Sequence, residues 1–231
     1  MTRKIYSGTQ INEDTEAKIT LLGKDIYFDV RGFFQSNMEV LEKALQETIR
    51  GLKGHRVLDM YSGCGTFSVF LADFFEEVTL VEHNRDALVY AEKNLAGKNH
   101  ISWGMSGKKW VETIESAGNY GTGKPGAGSR TTETGSHSAG NKSNGGQTEF
   151  SQADFDAVVI DPPRSGMEKE VRNYLARSNI PQIRAVSCDP ATQARDIAFL
   201  VKNGYKIQKA FLLDFYPNTS HIESLLYLVK E

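Results

Sequence analysis

Val57-Leu58-Asp59-Met60-Tyr61-Ser62-Gly63-Cys64-Gly65-Thr66-Phe67 is the stretch that decides the fold. Its first residues read as a short buried strand, a glycine-rich turn follows, and Thr66-Phe67 opens an apolar helix. Glycine is needed where backbone passes close to a ligand or takes a left-handed conformation, so Gly63 and Gly65 mark a turn suited to binding. In an open α/β sheet such a turn lies at the carboxyl end of a strand, where ligands bind. Glu82 stands 19 residues past Gly63 and ends the next apolar run. An acid there can accept hydrogen bonds from both hydroxyls of a ribose. The spacing is G-x-G, without the third glycine of a turn that seats a pyrophosphate at a helix N-terminus. A nucleoside cofactor is therefore expected ahead of NAD. On these residues alone, an ordinary strand-to-helix turn is an equal reading.

Working outward, strand-like and helix-like runs alternate. Residues 18–22 and 25–30 read as a hairpin turning at Gly23, 38–50 as a helix, 56–60 as a strand, 67–75 as a helix and 78–82 as a strand. A helix over 86–95, a weak strand at 101–103 and a helix from about Lys108 follow. Then come a strand at 155–160, a helix at 169–177, a strand at 185–187 and a helix at 192–202, before two closing strands at 206–214 and 222–229. Such alternation predicts an α/β fold with a doubly wound, mostly parallel sheet. Two final strands without a helix between them predict an antiparallel hairpin at one edge. This is the Rossmann-like architecture of class I methyltransferases, an analogy of fold alone. Residues 1–32 are expected to form an N-terminal hairpin extension and 33–231 the catalytic domain. Between residues 118 and 146 lie nine of the 21 glycines and eight Ser or Thr. That composition buries too little to offset its ordering entropy, so a flexible low-complexity insertion is expected there.

Three further motifs carry chemistry. In Asp161-Pro162-Pro163-Arg164-Ser165-Gly166 a strand delivers an acid, and two prolines then stiffen the chain beyond it. In Ser187-Cys188-Asp189-Pro190-Ala191-Thr192 a cysteine stands between a buried strand and a helix N-terminus, where thiolate is favoured. A buried structural cysteine is the competing reading. His221-Ile222-Glu223 places a His and an acid at strand spacing on one face, with Glu223 opening an apolar strand. Taken alone, Glu223 reads as a surface group.

Together with Phe33-Phe34-Gln35-Ser36-Asn37, these motifs closely resemble the RNA uracil-5 methyltransferases, which make 5-methyluridine in tRNA or ribosomal RNA. The resemblance runs in order from about Ile19 to the C-terminus, apart from the insertion. It implies S-adenosylmethionine as cofactor and RNA as substrate. It implies that Gln35, Tyr61, Gly63, Gly65, Thr66, Glu82 and Asp161 hold the cofactor or shape its pocket. Cys188 matches the nucleophile, Glu223 the general base and Arg164 an arginine near the target base. Attack by a thiolate on carbon 6 of uracil makes carbon 5 nucleophilic, and a base must later remove the carbon 5 proton. No metal is required.

The chain also departs from that family. Only about 30 residues precede Phe33, so the catalytic domain alone is expected, without the usual N-terminal RNA-binding β-barrel. Two cysteines, Cys64 and Cys188, cannot build the iron–sulfur cluster of many members. Asp189 stands where asparagine is commoner, and its charge would raise the pKa of the neighbouring thiol. Gly104-Met105-Ser106 offers no acid or amide for the adenine. A net charge of −2 advertises no nucleic-acid partner, so RNA must meet local basic patches. Lys108, Lys109, Arg164, Arg172, Arg177, Arg184, Lys202, Lys206 and Lys209 are the candidates. No apolar signal core or membrane-length run is present, so a soluble cytoplasmic protein is expected. Two other classes fit parts of the pattern: a binding module without turnover, and an amino-group methyltransferase that uses only the Asp-Pro-Pro loop.

Overall fold

The computed structural model describes residues 15–119 and 155–231. It opens with the antiparallel pair β1 (Glu16–Leu21) and β2 (Lys24–Asp29), turned at Leu22 and Gly23, which both have positive φ. A main body follows: α1 (Met38–Ile49), β3 (Gly54–Met60), α2 (Thr66–Leu71), β4 (Phe75–Glu82), α3 (Arg85–Asn94), β5 (His100–Gly104) and α4 (Gly107–Asn119). It continues with β6 (Ala157–Ile160), α5 (Lys169–Arg177), β7 (Gln182–Ser187), α6 (Pro190–Lys202), β8 (Tyr205–Leu213) and β9 (Glu223–Lys230).

Seven strands form one sheet in the order β5-β4-β3-β6-β7-β9-β8. Neighbours from β5 to β7 pair in parallel, and β9 pairs antiparallel with both β7 and β8. The strand order reverses between β3 and β6, the kind of point where an open sheet leaves a crevice at the strands' carboxyl ends. The doubly wound sheet with an antiparallel C-terminal edge is thus the one expected.

Period-two alternation explains the layers. Val57 of β3 and Val159 of β6 face one core with Leu41 and Leu45 of α1, Phe70 of α2 and Ala91 of α3. Leu58 and Val158 face the other, with Trp110 of α4, Leu175 of α5 and Ile197 of α6. The hairpin is part of the first layer, since Leu21 and Ile26 are fully buried in it. Asn37, Asn84 and Asp189 cap α1, α3 and α6 with side-chain oxygens, which is why those helices start where they do.

Several boundaries depart from expectation, among them the starts of β7 at Gln182 and of α6 at Pro190. α2 stops at Leu71 rather than Phe75, because Asp73 and Phe74 close a tight turn onto Phe70 and Leu71. Phe75 then pairs beside Gly54 as the first residue of β4, so strand pairing overrides the helical spacing of its side chain. α4 includes Gly118 and Asn119, the first two residues of the expected insertion. The rest of that expected loop lies outside the described residues.

Candidate active site

The glycine turn is built largely by backbone. Tyr61 and Ser62 both donate N–H to Val81 O, and Gly65 N–H donates back to Ser62 O. Tyr61 (φ 66°), Gly63 (55°) and Gly65 (78°) all lie in the left-handed region. The two glycines differ in their need. A Cβ on Gly65 would press on Ala91 at 3.2 Å, so a side chain there would push α3 off the turn. A Cβ on Gly63 would meet nothing within 4 Å, which leaves open space beside that residue. Glu82 is buried at the end of β4. Its Oε2 accepts from Gly63 N–H at 3.0 Å and its Oε1 from Asn84 N–H at 2.6 Å. The acid expected on a ribose thus also buttresses the turn. Thr66 Oγ1 lies 3.4 Å from Cys64 Sγ. Tyr61 is placed differently from the rest: its phenol leaves the turn for Glu168, accepting from Glu168 N–H at 3.2 Å. Among the described residues, buried oxygens without a partner include Asp59 Oδ1 and Ser62 Oγ at the end of β3 and the turn, and Gln35 Oε1 on the loop before α1.

The second half of the site lies where β7 and β9 end and begin. Ser187 pairs with Ser224, so Cys188 and Glu223 are the next residues outward on adjacent antiparallel strands. Glu223 is only 3% exposed, and Gln35 Nε2 reaches its two oxygens at 3.4 and 3.5 Å. Asp161 follows β6, next to β7. Burial raises the Cys188 thiol pKa, and the charges of Glu223 and Asp161 raise it further. The Arg164 guanidinium opposes them by charge and hydrogen bond. Burial also raises Glu223, against its contacts with Gln35 and Arg164. Asp161 is pushed up to about 7 by desolvation, then by Glu223 and Asp59. Asp59, fully buried, is pushed up to about 7 by burial despite a 2.5 Å hydrogen bond from Ser68 Oγ, with Glu82 adding to the rise.

Asp189 is the cap of the helix that follows the cysteine. Its Oδ1 accepts from Thr192 N–H at 2.8 Å as the cap of α6, and that bonding holds its own pKa low. The charges that weigh most on Cys188 are Glu223 and Asp161. His221 departs from the one-face reading: it lies before β9 begins and is exposed, in edge contact with Tyr216.

Sequence reasoning missed what holds the Asp161–Gly166 loop. Asp196 of α6, 1% exposed, accepts from Met167 N–H at 2.8 Å and from Arg172 at 2.7 Å. Arg195 donates to Ser165 O and Thr192 to Arg164 O, both at 3.0 Å. Gly166 (φ 84°) could carry no Cβ, since Asp196 and Arg195 fill the space. The only hint in the sequence was an acid and an arginine on the helix after the cysteine. Most of the candidate RNA-binding cations are already paired: Lys108 and Lys109 with Glu112, Lys108 also with Glu170, Arg172 with Asp196, Arg177 with Glu115 and Lys206 with Glu231. Arg184 is buried over the Tyr227 ring. Arg164 is exposed beside the site.

The sequence profile of the tRNA (Uracil-5-)-methyltransferase family matches residues 146–231. An RNA methyltransferase of Treponema denticola is 41% identical over 211 residues, covering 91% of this chain and 48% of that protein. The 23S rRNA (uracil(1939)-C(5))-methyltransferase RlmD of Pseudomonas entomophila is 30% identical, covering 88% of this chain and 38% of that protein. The chain is thus similar, along most of its length, to RNA methyltransferases, and over residues 146–231 to the tRNA (Uracil-5-)-methyltransferase family. It spans less than half the length of these relatives. The crystal structure of Pyrococcus abyssi tRNA (uracil-54, C5)-methyltransferase with S-adenosyl-L-homocysteine superposes with a TM-score of 0.69 at 24% identity, over 99% of this chain and 49% of that one. That likeness is one of fold.

Proposed function

We propose that this chain is the catalytic unit of an S-adenosylmethionine-dependent RNA methyltransferase that modifies carbon 5 of a uridine in tRNA or ribosomal RNA. The observation that carries the reading is the pairing of β7 with β9, which sets Cys188 beside buried Glu223 at the sheet's carboxyl edge. The cofactor fits the residues present. Unpartnered Asp59 Oδ1, Ser62 Oγ and Gln35 Oε1 are acceptors, and the space beside Gly63 is open. Gln35, Gly63, Gly65, Thr66, Glu82 and Asp161 would hold it, and Tyr61 would shape the turn from beneath. Bound there, it supplies a sulfonium-activated methyl group.

The chain's own residues carry the remaining steps. Cys188 loses its proton to solvent, and its thiolate bonds to carbon 6 of the uracil, shifting the C5–C6 π electrons towards carbon 5 and the carbonyl. Carbon 5, made nucleophilic by the Cys188 adduct, would then take the methyl group that the bound cofactor supplies. Glu223 removes the proton from carbon 5, and the electron pair of that C–H bond expels Cys188 as thiolate. A carboxylate raised by burial is the stronger base for that last step. Arg164 offsets the neighbouring acids so that Cys188 can ionise.

RNA containing 5-fluorouridine tests this, because fluorine cannot leave as a cation and the adduct persists. Wild type with adenosylmethionine should give a shifted band on a denaturing gel, and Cys188→Ala should give none. Full methylation by Cys188→Ala would overturn the reading.

A further inference from the structure

Asn94, the last residue of α3, uses its amide on two parts of the protein at once. Its Oδ1 accepts from Tyr27 N–H at 2.8 Å, and its Nδ2 donates to Tyr27 O and to Cys64 O, both at 2.9 Å. Towards Tyr27 the side chain acts as a neighbouring strand would, satisfying both peptide groups on the outer side of β2. Towards Cys64 it fixes the carbonyl of the one residue between the two glycines of the turn. The turn's other bonds come from β4, its end, the turn itself, α2 and the loop before α5: Val81 O, Glu82, Ser62 O, Val69 N–H and Glu168 N–H. Among the described residues, the Asn94 bond is the one that ties the turn to the hairpin.

β2 continues to the other half of the site. Phe28, the residue after Tyr27, stacks on Phe34 with centroids 4.0 Å apart and planes 14° apart. The next residue is Gln35, whose amide meets Glu223. One short strand therefore reaches the glycine turn through Asn94 and the Glu223 carboxylate through Phe34 and Gln35. The hairpin is anchored elsewhere as well, by Lys24 to Val69 O, by Leu22 N–H to Glu42, and by Lys93 to Glu16. None of those three bonds touches the turn.

We propose that Asn94 is a positioning residue that sets the cofactor turn through the Cys64 carbonyl and couples it, through β2, to the Gln35–Glu223 contact. The proposal rests on the functional reading above for the identity of the cofactor, but the geometry of the turn can be read without it. Asn94→Asp keeps an acceptor for Tyr27 N–H and replaces both donors with an oxygen facing two carbonyls. Asn94→Ala removes the amide without that repulsion and serves where the first variant folds poorly. Lys93→Met is the control. It loosens the same helix from the same hairpin, removing the 2.6 Å bond to Glu16 and the cation over the Tyr27 ring, and leaves the turn alone.

Hydrogen exchange at Gly63–Gly65 and calorimetric titration with adenosylmethionine are the measurements. In both Asn94 variants the turn amides should exchange faster and cofactor affinity should fall roughly tenfold, the size of one lost buried hydrogen bond. KM for the cofactor should rise while turnover at saturation changes little. Lys93→Met should lower the melting temperature but leave both readouts close to wild type. Unchanged turn exchange in the Asn94 variants overturns the proposal. So does an equal effect of Lys93→Met, which would make Asn94 an ordinary docking contact. If wild type binds no adenosylmethionine while turn exchange still responds to Asn94, the positioning role stands and the functional reading falls.

Discussion

The two halves of the site handle charge in opposite ways. At the glycine turn, Glu82 is buried with backbone N–H groups of Gly63 and Asn84 on its two oxygens. At the β7–β9 end, Cys188, Glu223 and Asp161 are crowded together, and Arg164 is the main positive charge against them. In the first arrangement backbone donors hold the carboxylate in place, so it needs no reorganisation to meet a ligand. The second holds groups that burial pushes towards their protonated forms, a perturbation that suits a site of proton transfer. Asp59 lies at the junction, raised by Glu82 on one side and itself raising Asp161 on the other.

The largest effect should come from the β7–β9 half. On the proposed mechanism, Glu223→Gln would still form the thiolate adduct and let carbon 5 be methylated, but would not take the carbon 5 proton. Release should slow by roughly 10²–10⁴-fold, the usual worth of a positioned base, and a methylated protein–RNA complex should accumulate on unmodified RNA. Mass spectrometry of the trapped complex checks this. Free product released at the wild-type rate would remove Glu223 from the role of base. Next comes the binding half. Glu82→Ala should weaken adenosylmethionine binding about 10- to 100-fold, because it removes a charged acceptor and loosens the turn. Calorimetry that finds equal affinity would show the ribose assignment to be wrong.

The contrast between the halves also explains what the sequence could tell. The glycine turn and Glu82 were readable because their roles are local: two glycines and an acid at the end of the next strand. The alternating layers were readable because period-two and helical patterns report burial directly. The Cys188–Glu223 pair was not readable from local pattern, since 34 residues and a strand order separate them. Only the β7–β9 register brings them together, and resemblance to a family supplied what spacing could not. Asp196 was missed for the same reason, as its bonds to Met167 and Arg172 cross between elements. Tyr61 was placed with the turn by its position, but its phenol belongs to Glu168 on the opposite side of the sheet.

A smaller effect separates tuning from binding in Arg164. Its charge lowers the Cys188 pKa against burial, Glu223 and Asp161, so Arg164→Gln should move that pKa further up. The thiolate fraction at neutral pH then falls, and the rising limb of adduct formation shifts to higher pH. The rate should drop several-fold near neutrality and recover in alkaline buffer. Adduct formation on 5-fluorouridine RNA across pH gives the profile. A deficit of the same size at every pH would mean that Arg164 holds RNA rather than tuning the thiol.

The smallest effect tests the junction. Asp59 is fully buried and its carboxyl is raised from 3.8 to about 7 in the folded chain. Below pH 3.8 the group is protonated in both folded and unfolded chains and favours neither. Between 3.8 and 7 the unfolded chain loses the proton and the folded chain keeps it, so rising pH favours unfolding. Above 7 both are ionised and the penalty is constant. Asn at this position accepts the same hydrogen bond from Ser68 and never ionises, so Asp59→Asn removes the penalty without removing the contact. The melting temperature of the variant should therefore gain on wild type between pH 4 and pH 7 and level off beyond, by about 2–4 °C for each kcal/mol in a domain of this size. Adenosylmethionine, as a cation, should narrow that gap, because it favours ionised Asp59 in the folded protein. A gap that does not change with pH would show that Asp59 ionises as freely in the fold as in water. The charge link between the two halves would then be broken at its centre.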